Sequence, residues 1–158
     1  AAALKKLLDP DVQAVGVFVN ESPETVAYLL DGGIIDIAQL HGAEDEKYIE
    51  ELRELTEKPI IKAFRIASEK DVSEAEKSGA DYILLDSGAG TGTVFDWSLL
   101  RNIKRPYFLA GGLSPENAEA AIAVLKPYAA DVSSSIETHG FKDKIKMTAF
   151  VNAVRKGR

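Results

Sequence analysis

Two short stretches of this sequence carry the donor groups of an anion site. Leu109-Ala110-Gly111-Gly112-Leu113-Ser114-Pro115 runs from an apolar segment through two glycines into a Ser-Pro pair. Glycine lets a backbone approach a ligand closely and adopt positive φ. One repeat later, Asp131-Val132-Ser133-Ser134-Ser135 adds hydroxyls and further backbone N–H groups. Amides and hydroxyls converging in this way can hold a phosphate without any local cation. A glycine pair alone would be no more than a tight turn. Joined to the serine tract, it favours phosphate binding between the Gly111-Gly112 turn and the loop Ser133-Ser134-Ser135.

Acid–base chemistry has fewer candidates. Asp86 closes the apolar run Tyr82-Ile83-Leu84-Leu85-Asp86. A carboxylic acid at the end of such a run, partly withdrawn from water, can act as a proton donor. Equally, it can be a structural aspartate bonded to its own loop. The Gly-rich tract after it, Ser87 to Thr93, has the composition of a lid and lacks the Lys-Ser/Thr pair of a nucleotide-binding loop. Asp96 then fits a helix N-cap or first turn. His41, after Gln39-Leu40, can bond a ligand or exchange a proton near neutrality, or it can be a structural histidine fixed in one tautomer. Asn20, Lys62 and Arg65 are further polar residues that follow apolar runs. His139 reads as a solvated loop residue, and two histidines so far apart make a weak metal case, so no metal is assigned. Glu44 to Glu57 reads as a solvated helix face.

These residues recur in phase with a repeat. Apolar runs start near Ala14, Ile35, Pro59, Tyr82, Pro106 and Ala130, at intervals of 21 to 24 residues. Amphipathic stretches separate them: Pro23–Asp31, Asp45–Thr56, Glu69–Ser78, a short one at Trp97–Asn102, Pro115–Leu125, and a last one over about Lys142–Lys156. Ser22-Pro23 and Ser114-Pro115 each predict a capping serine before a first-turn proline. Gly79 predicts a helix end. Strands alternating with helices imply an α/β fold with a parallel sheet. A doubly wound sheet would show a Gly-rich turn after its first strand; here Asn20-Glu21-Ser22-Pro23 follows instead. The regular interval favours a (βα)₈ barrel, in which chemistry gathers at the C-terminal ends of the strands. That rule returns the residues named above.

Such a barrel usually needs at least about 200 residues, and this chain has 158. The expectation is therefore one partial (βα)₈-barrel domain over residues 1–158 with six βα units. Ala1–Leu8 reads as the tail of a helix, and two units are expected before it. Hydrophobic residues at 46 % and charged residues at 28 % fit a soluble globular domain. No apolar run approaches a membrane span, and no secretory signal is visible, which predicts a cytoplasmic protein. The formal charge of −6 argues against nonspecific nucleic-acid or membrane binding. The absence of cysteine removes disulfides, thiolate metal sites and a cysteine nucleophile.

Seven tracts, in order, resemble the phosphoribosylanthranilate isomerases: Val15–Asn20, Gln39-Leu40-His41-Gly42, Ile61–Arg65, Leu84–Ser87, Gly90-Thr91-Gly92 with Phe95-Asp96-Trp97, Leu109–Leu113, and Asp131–Ser134 with Ile136-Glu137-Thr138. The similarity spans essentially the whole chain and is most specific over Asp86–Trp97 and Leu109–Asn117. It implies a cofactor-free Amadori rearrangement of N-(5′-phosphoribosyl)anthranilate in tryptophan biosynthesis, with Asp86 as the acid. It further implies substrate contacts at Gln39, His41, Arg65 and Asp131, and phosphate contacts at Gly111, Gly112, Ser134 and Ser135. Ser135 stands where the family often has glycine, and Thr93 where it often has lysine. The family's base is a cysteine in a Lys-Ile-Cys-Gly type motif, which this sequence lacks, as it lacks the family's arginine after the second strand. The resemblance thus implies a fragment with negligible activity alone, taking a phosphoribosyl small molecule and pairing with a complementary N-terminal fragment or another copy of itself. The alternatives are a non-catalytic phosphate-binding barrel fragment and another phosphosugar isomerase or epimerase.

Overall fold

A computed structural model describes residues 2–86, 97–101 and 103–158. The expected lid tract, Thr93 and Asp96 lie outside the described residues. Six strands form one sheet in sequence order: β1 (Val15–Phe18), β2 (Ile37–Leu40), β3 (Ile60–Arg65), β4 (Tyr82–Asp86), β5 (Tyr107–Ala110) and β6 (Ala129–Ala130). The β1–β2, β2–β3 and β5–β6 pairs are parallel. Among the described residues six α-helices accompany them: α1 (Ala2–Lys5), α2 (Pro23–Asp31), α3 (Glu46–Leu55), α4 (Glu69–Lys77), α5 (Ala118–Leu125) and α6 (Lys144–Gly157). This is the α/β, (βα)₈-barrel type of architecture that the repeat predicts. The chain divides into two compact units, one of Ala1–Ala63 with Lys77–Ile83 and one of Phe64–Glu76 with Leu84–Arg158.

In the first unit, helix α2 has the predicted bounds because Ser22 Oγ accepts from Thr25 N and Pro23 needs no amide partner. Its inner face, Val26, Ala27 and Leu30, packs with Ala38 and Leu40 of β2, Ile49 and Leu52 of α3, and Ile60 of β3. Each of the larger of these side chains contributes roughly 1.5–3 kcal/mol on burial. The lower edge is tied by polar contacts. Asp81 Oδ2 accepts from Ile60 N at 2.7 Å and pairs with Arg53. Asp36 pairs with Lys5 and accepts from Ala14 N at 2.7 Å. The Lys5 bond and the Ala14 amide hold the Asp36 carboxyl below its usual range.

The second unit departs from expectation in four places. Helix α5 begins at Ala118 rather than Pro115. Ser114 still accepts Glu116 N through Oγ and Ala118 N through its carbonyl, so residues 115–117 form a turn leading into the helix. The segment after Trp97 is a single 3₁₀ turn, Trp97–Leu100. The last strand is only Ala129–Ala130, because its pairing with Phe108 and Leu109 stops there and Ser134–Ile136 coils into a 3₁₀ turn. An unforeseen antiparallel hairpin follows: β7 (Glu137–Thr138) and β8 (Phe141–Lys142). His139 sits in its tip, exposed, with φ 53°. Asp143 then caps α6, accepting from Ile145 N and Lys146 N.

Candidate active site

The first unit gathers polar side chains where β1, β2 and β3 end. Asn20 follows β1 in a left-handed conformation, φ 55°, which asparagine tolerates better than most residues. Its amide donates to Glu44 Oε1 at 2.6 Å, and its Oδ1 accepts from Ala43 N at 2.8 Å. Lys62, on β3, is buried, and its Nζ donates to the Gly42 carbonyl at 2.8 Å, to the Leu40 carbonyl at 3.3 Å and to Glu44 Oε2 at 3.0 Å. Glu44 Oε2 also accepts from Gly42 N at 2.8 Å. Burial opposes the charge on Glu44, but the amides of Asn20 and Glu44 itself, with Lys62, outweigh it and hold the carboxyl below its usual range.

Glu44 was expected on a solvated helix face; it is 6 % exposed and stands ahead of the helix, whose cap is Asp45. The buried charge survives because a lysine and two loop amides meet it. The one sequence signal is its position, directly after His41-Gly42-Ala43 and outside the amphipathic phase of α3.

This network fixes the loop that carries His41. The His41 amide donates to the Phe18 carbonyl at 2.8 Å. His41 Nδ1 lies 2.8 Å from Gln39 Oε1. An amide oxygen only accepts, so with Oε1 facing the ring Nδ1 carries the proton of this bond. Gln39 is buried and His41 exposed. Beside them Asn20, Glu21, Glu44, Asp45 and Tyr48 line a cavity of about 280 Å³. Tyr48 donates to the Glu21 carbonyl at 2.8 Å. Burial first, then the charges of Glu44, Glu21 and Glu24, push its hydroxyl up to about 12, so it stays a donor. A larger cavity of about 620 Å³ opens among Asp31, Arg53, Thr56 and Lys58, ahead of β3. That end of a barrel strand serves stability rather than chemistry.

The second unit holds the other candidates. Arg65 ends β3 and is exposed; Asp86 ends β4, is half-buried, and its carbonyl accepts from Ile66 N at 2.9 Å. Gly111 and Gly112 follow β5 with φ 77° and 62°, a conformation that side chains disfavour. Asn117 holds this turn, donating to the Gly112 carbonyl at 2.7 Å and accepting from Ser114 N at 2.8 Å. Asp131 follows β6, and its amide donates to the Leu109 carbonyl at 2.8 Å.

Ser135 Oγ donates to the Leu113 carbonyl, so one hydrogen bond joins the glycine turn to the serine loop. The amides of Gly111, Gly112, Ser134 and Ser135 have no acceptor among the described residues. Lys142, which sequence reasoning passed over, donates to the Ser133 carbonyl at 2.9 Å and to Glu137 at 2.7 Å. Only the hairpin brings it there, so no local pattern could reveal it.

Parallel strands whose polar residues collect at the C-terminal ends define an α/β enzyme of the barrel type. The family model for N-(5′-phosphoribosyl)anthranilate isomerase matches residues 3–153. The isomerase of Endomicrobium trichonymphae is 42 % identical over 160 residues, covering 98 % of this chain and 78 % of the relative. The crystal structure of the phosphoribosyl anthranilate isomerase from Thermotoga maritima aligns with a TM-score of 0.87 at 36 % identity, covering 98 % of this chain and 78 % of that one. A second crystal structure of a phosphoribosyl anthranilate isomerase, in complex with reduced 1-(o-carboxyphenylamino)-1-deoxyribulose 5-phosphate, aligns with a TM-score of 0.84 at 35 % identity, covering 98 % of this chain and 77 % of that one. The chain belongs to the N-(5′-phosphoribosyl)anthranilate isomerase family, enzymes of tryptophan biosynthesis. No helix among the described residues is long and apolar enough to cross a membrane.

Proposed function

We propose that this chain binds N-(5′-phosphoribosyl)anthranilate in the cytoplasm, with the 5′-phosphate on the amides of Gly111, Gly112, Ser134 and Ser135 and with Asp86 as the acid of the Amadori rearrangement. The observation that carries this reading is the Ser135–Leu113 hydrogen bond, which joins two loops in which the amides of Gly111, Gly112, Ser134 and Ser135 have no acceptor among the described residues. Amides fixed in this way bind an anion without reorganising. Gln39, His41, Arg65 and Asp131 are the proposed contacts to the rest of the substrate.

In the reaction Asp86 gives its proton to the ribose ring oxygen. The C1′–O bond breaks as the anthranilate nitrogen's lone pair forms the C1′=N bond. A base then takes the C2′ proton; the resulting enolamine tautomerises, its enol hydroxyl becoming the ketone as C1′ gains a proton. General acid and base steps each contribute typically 10²–10⁴-fold. The family's cysteine base has no counterpart in this composition, so these 158 residues alone should show little turnover. The test is an isomerase assay of the purified chain, alone and with a peptide carrying Lys-Ile-Cys-Gly-type first βα units. Activity that appears with the peptide and disappears in Asp86→Asn supports the reading. Equal activity in Asp86→Asn removes Asp86 from the acid's role, and phosphate binding with no turnover in either mixture favours a non-catalytic barrel.

A further inference from the structure

The serine loop is held at two points that lie on either side of Ser134. On one side Ser135 Oγ donates its single proton to the Leu113 carbonyl. A hydroxyl has one proton to give, so an anion meets only lone pairs at Ser135 Oγ, and Ser135 can serve it through its amide alone. On the other side Lys142 Nζ lies 2.9 Å from the Ser133 carbonyl and 3.3 Å from Ser133 Oγ. Lys142 is itself steadied by Glu137, across the short hairpin. Ser134, between the two, is exposed. Ser133 has φ −126° and ψ −83°, outside the regular helical and extended regions, and the short 3₁₀ turn Ser134–Ile136 that follows it has one backbone bond of its own to Ser133, so these tethers add to what holds the loop.

We infer that Ser135 and Lys142 are positioning residues that hold the serine loop in its anion-receiving form before ligand arrives. The Ser135 hydroxyl and the Lys142 ammonium act on the loop rather than on the phosphate, which Ser135 meets through its amide alone. This inference rests on the phosphate reading above and deepens it.

The test is inorganic phosphate titrated into the whole chain, followed by calorimetry and by the amide resonances of Gly112 and Ser134. Ser135→Ala and Ser135→Gly should each raise the phosphate dissociation constant about five- to ten-fold, the effect of one net hydrogen bond. Ser135→Thr, which keeps the hydroxyl, should restore it. Lys142→Met should weaken binding and Lys142→Arg should largely recover it. In phosphate-free Ser135→Ala the Leu113 carbonyl and Gly112 amide resonances should already be displaced. Unchanged phosphate affinity in Ser135→Ala, or resonances that move only once phosphate is bound, overturns the inference while leaving the phosphate site in place. A wild-type chain that binds no phosphate overturns the phosphate reading and this inference with it.

Discussion

Lys62 and Glu44 meet at 3.0 Å with their side chains 6 % and 1 % exposed, and between them they hold the loop that presents His41. The lysine occupies two carbonyl oxygens of the loop and the glutamate two loop-side amides, so neither charge is left to the apolar interior. A buried pair of this kind is weak evidence for net stability, but removing one partner strands the other.

Lys62→Met should therefore destabilise the protein by about 3–5 kcal/mol, the usual consequence of leaving a buried carboxylate uncompensated. The double variant Lys62→Met with Glu44→Leu should recover part of that loss. Urea unfolding followed by circular dichroism measures both. A single variant within about 0.5 kcal/mol of the wild type contradicts the account.

The same carboxyl sets a pH dependence. Glu44 titrates lower in the folded protein than an unperturbed glutamate. Its contribution is complete above the unfolded value, about 4.3, and is lost as pH falls through the depressed folded value. Stability attributable to Glu44 should be flat from pH 7 to 5 and fall only below about pH 4. Unfolding curves of the wild type and Glu44→Gln should converge in acid. Divergence that grows as pH drops gives the wrong sign.

Gly42 is the tightest point of the network. A Cβ there would lie 2.6 Å from Asn20 Oδ1 and 2.9 Å from both Asn20 N and Glu44 Oε1. All three atoms are engaged, so none can retreat without breaking a hydrogen bond. Gly42→Ala should lose about 1–3 kcal/mol and displace the His41 ring resonances in a heteronuclear spectrum. Resonances that stay in place show that the loop absorbs the methyl group.

The elements that follow local rules were legible in the sequence. Helix α2 starts and stops where Ser22-Pro23 and Asp31 predict, since its cap is made by its own residues. Strands β1 to β5 form on their apolar runs, because a short apolar run bounded by turn residues is a local signal. What depends on distant partners was not legible. The chain after Ala130 looks extended in sequence but bends into the 3₁₀ turn at Ser134 once pairing with β5 ends. Glu44 looks like one more surface acid beside Glu46, Glu50 and Glu51; only Lys62, eighteen residues on, makes it a buried one. Ser135 has the right residue type for a phosphate ligand, yet its hydroxyl is committed to Leu113.

The central claim is that anion binding and proton donation belong to different residues of the second unit, the glycine and serine loops for one and Asp86 for the other. Titration of phosphate or a product analogue into Asp86→Asn and Gly112→Val tests it most directly. Gly112 has φ 62°, so valine there is strained and blocks close approach of the backbone; this variant should lose binding. Asp86→Asn should bind nearly as the wild type does, while abolishing any activity restored by a complementary segment, since an amide is no proton donor at this step. Binding lost in Asp86→Asn and kept in Gly112→Val contradicts the assignment of both roles.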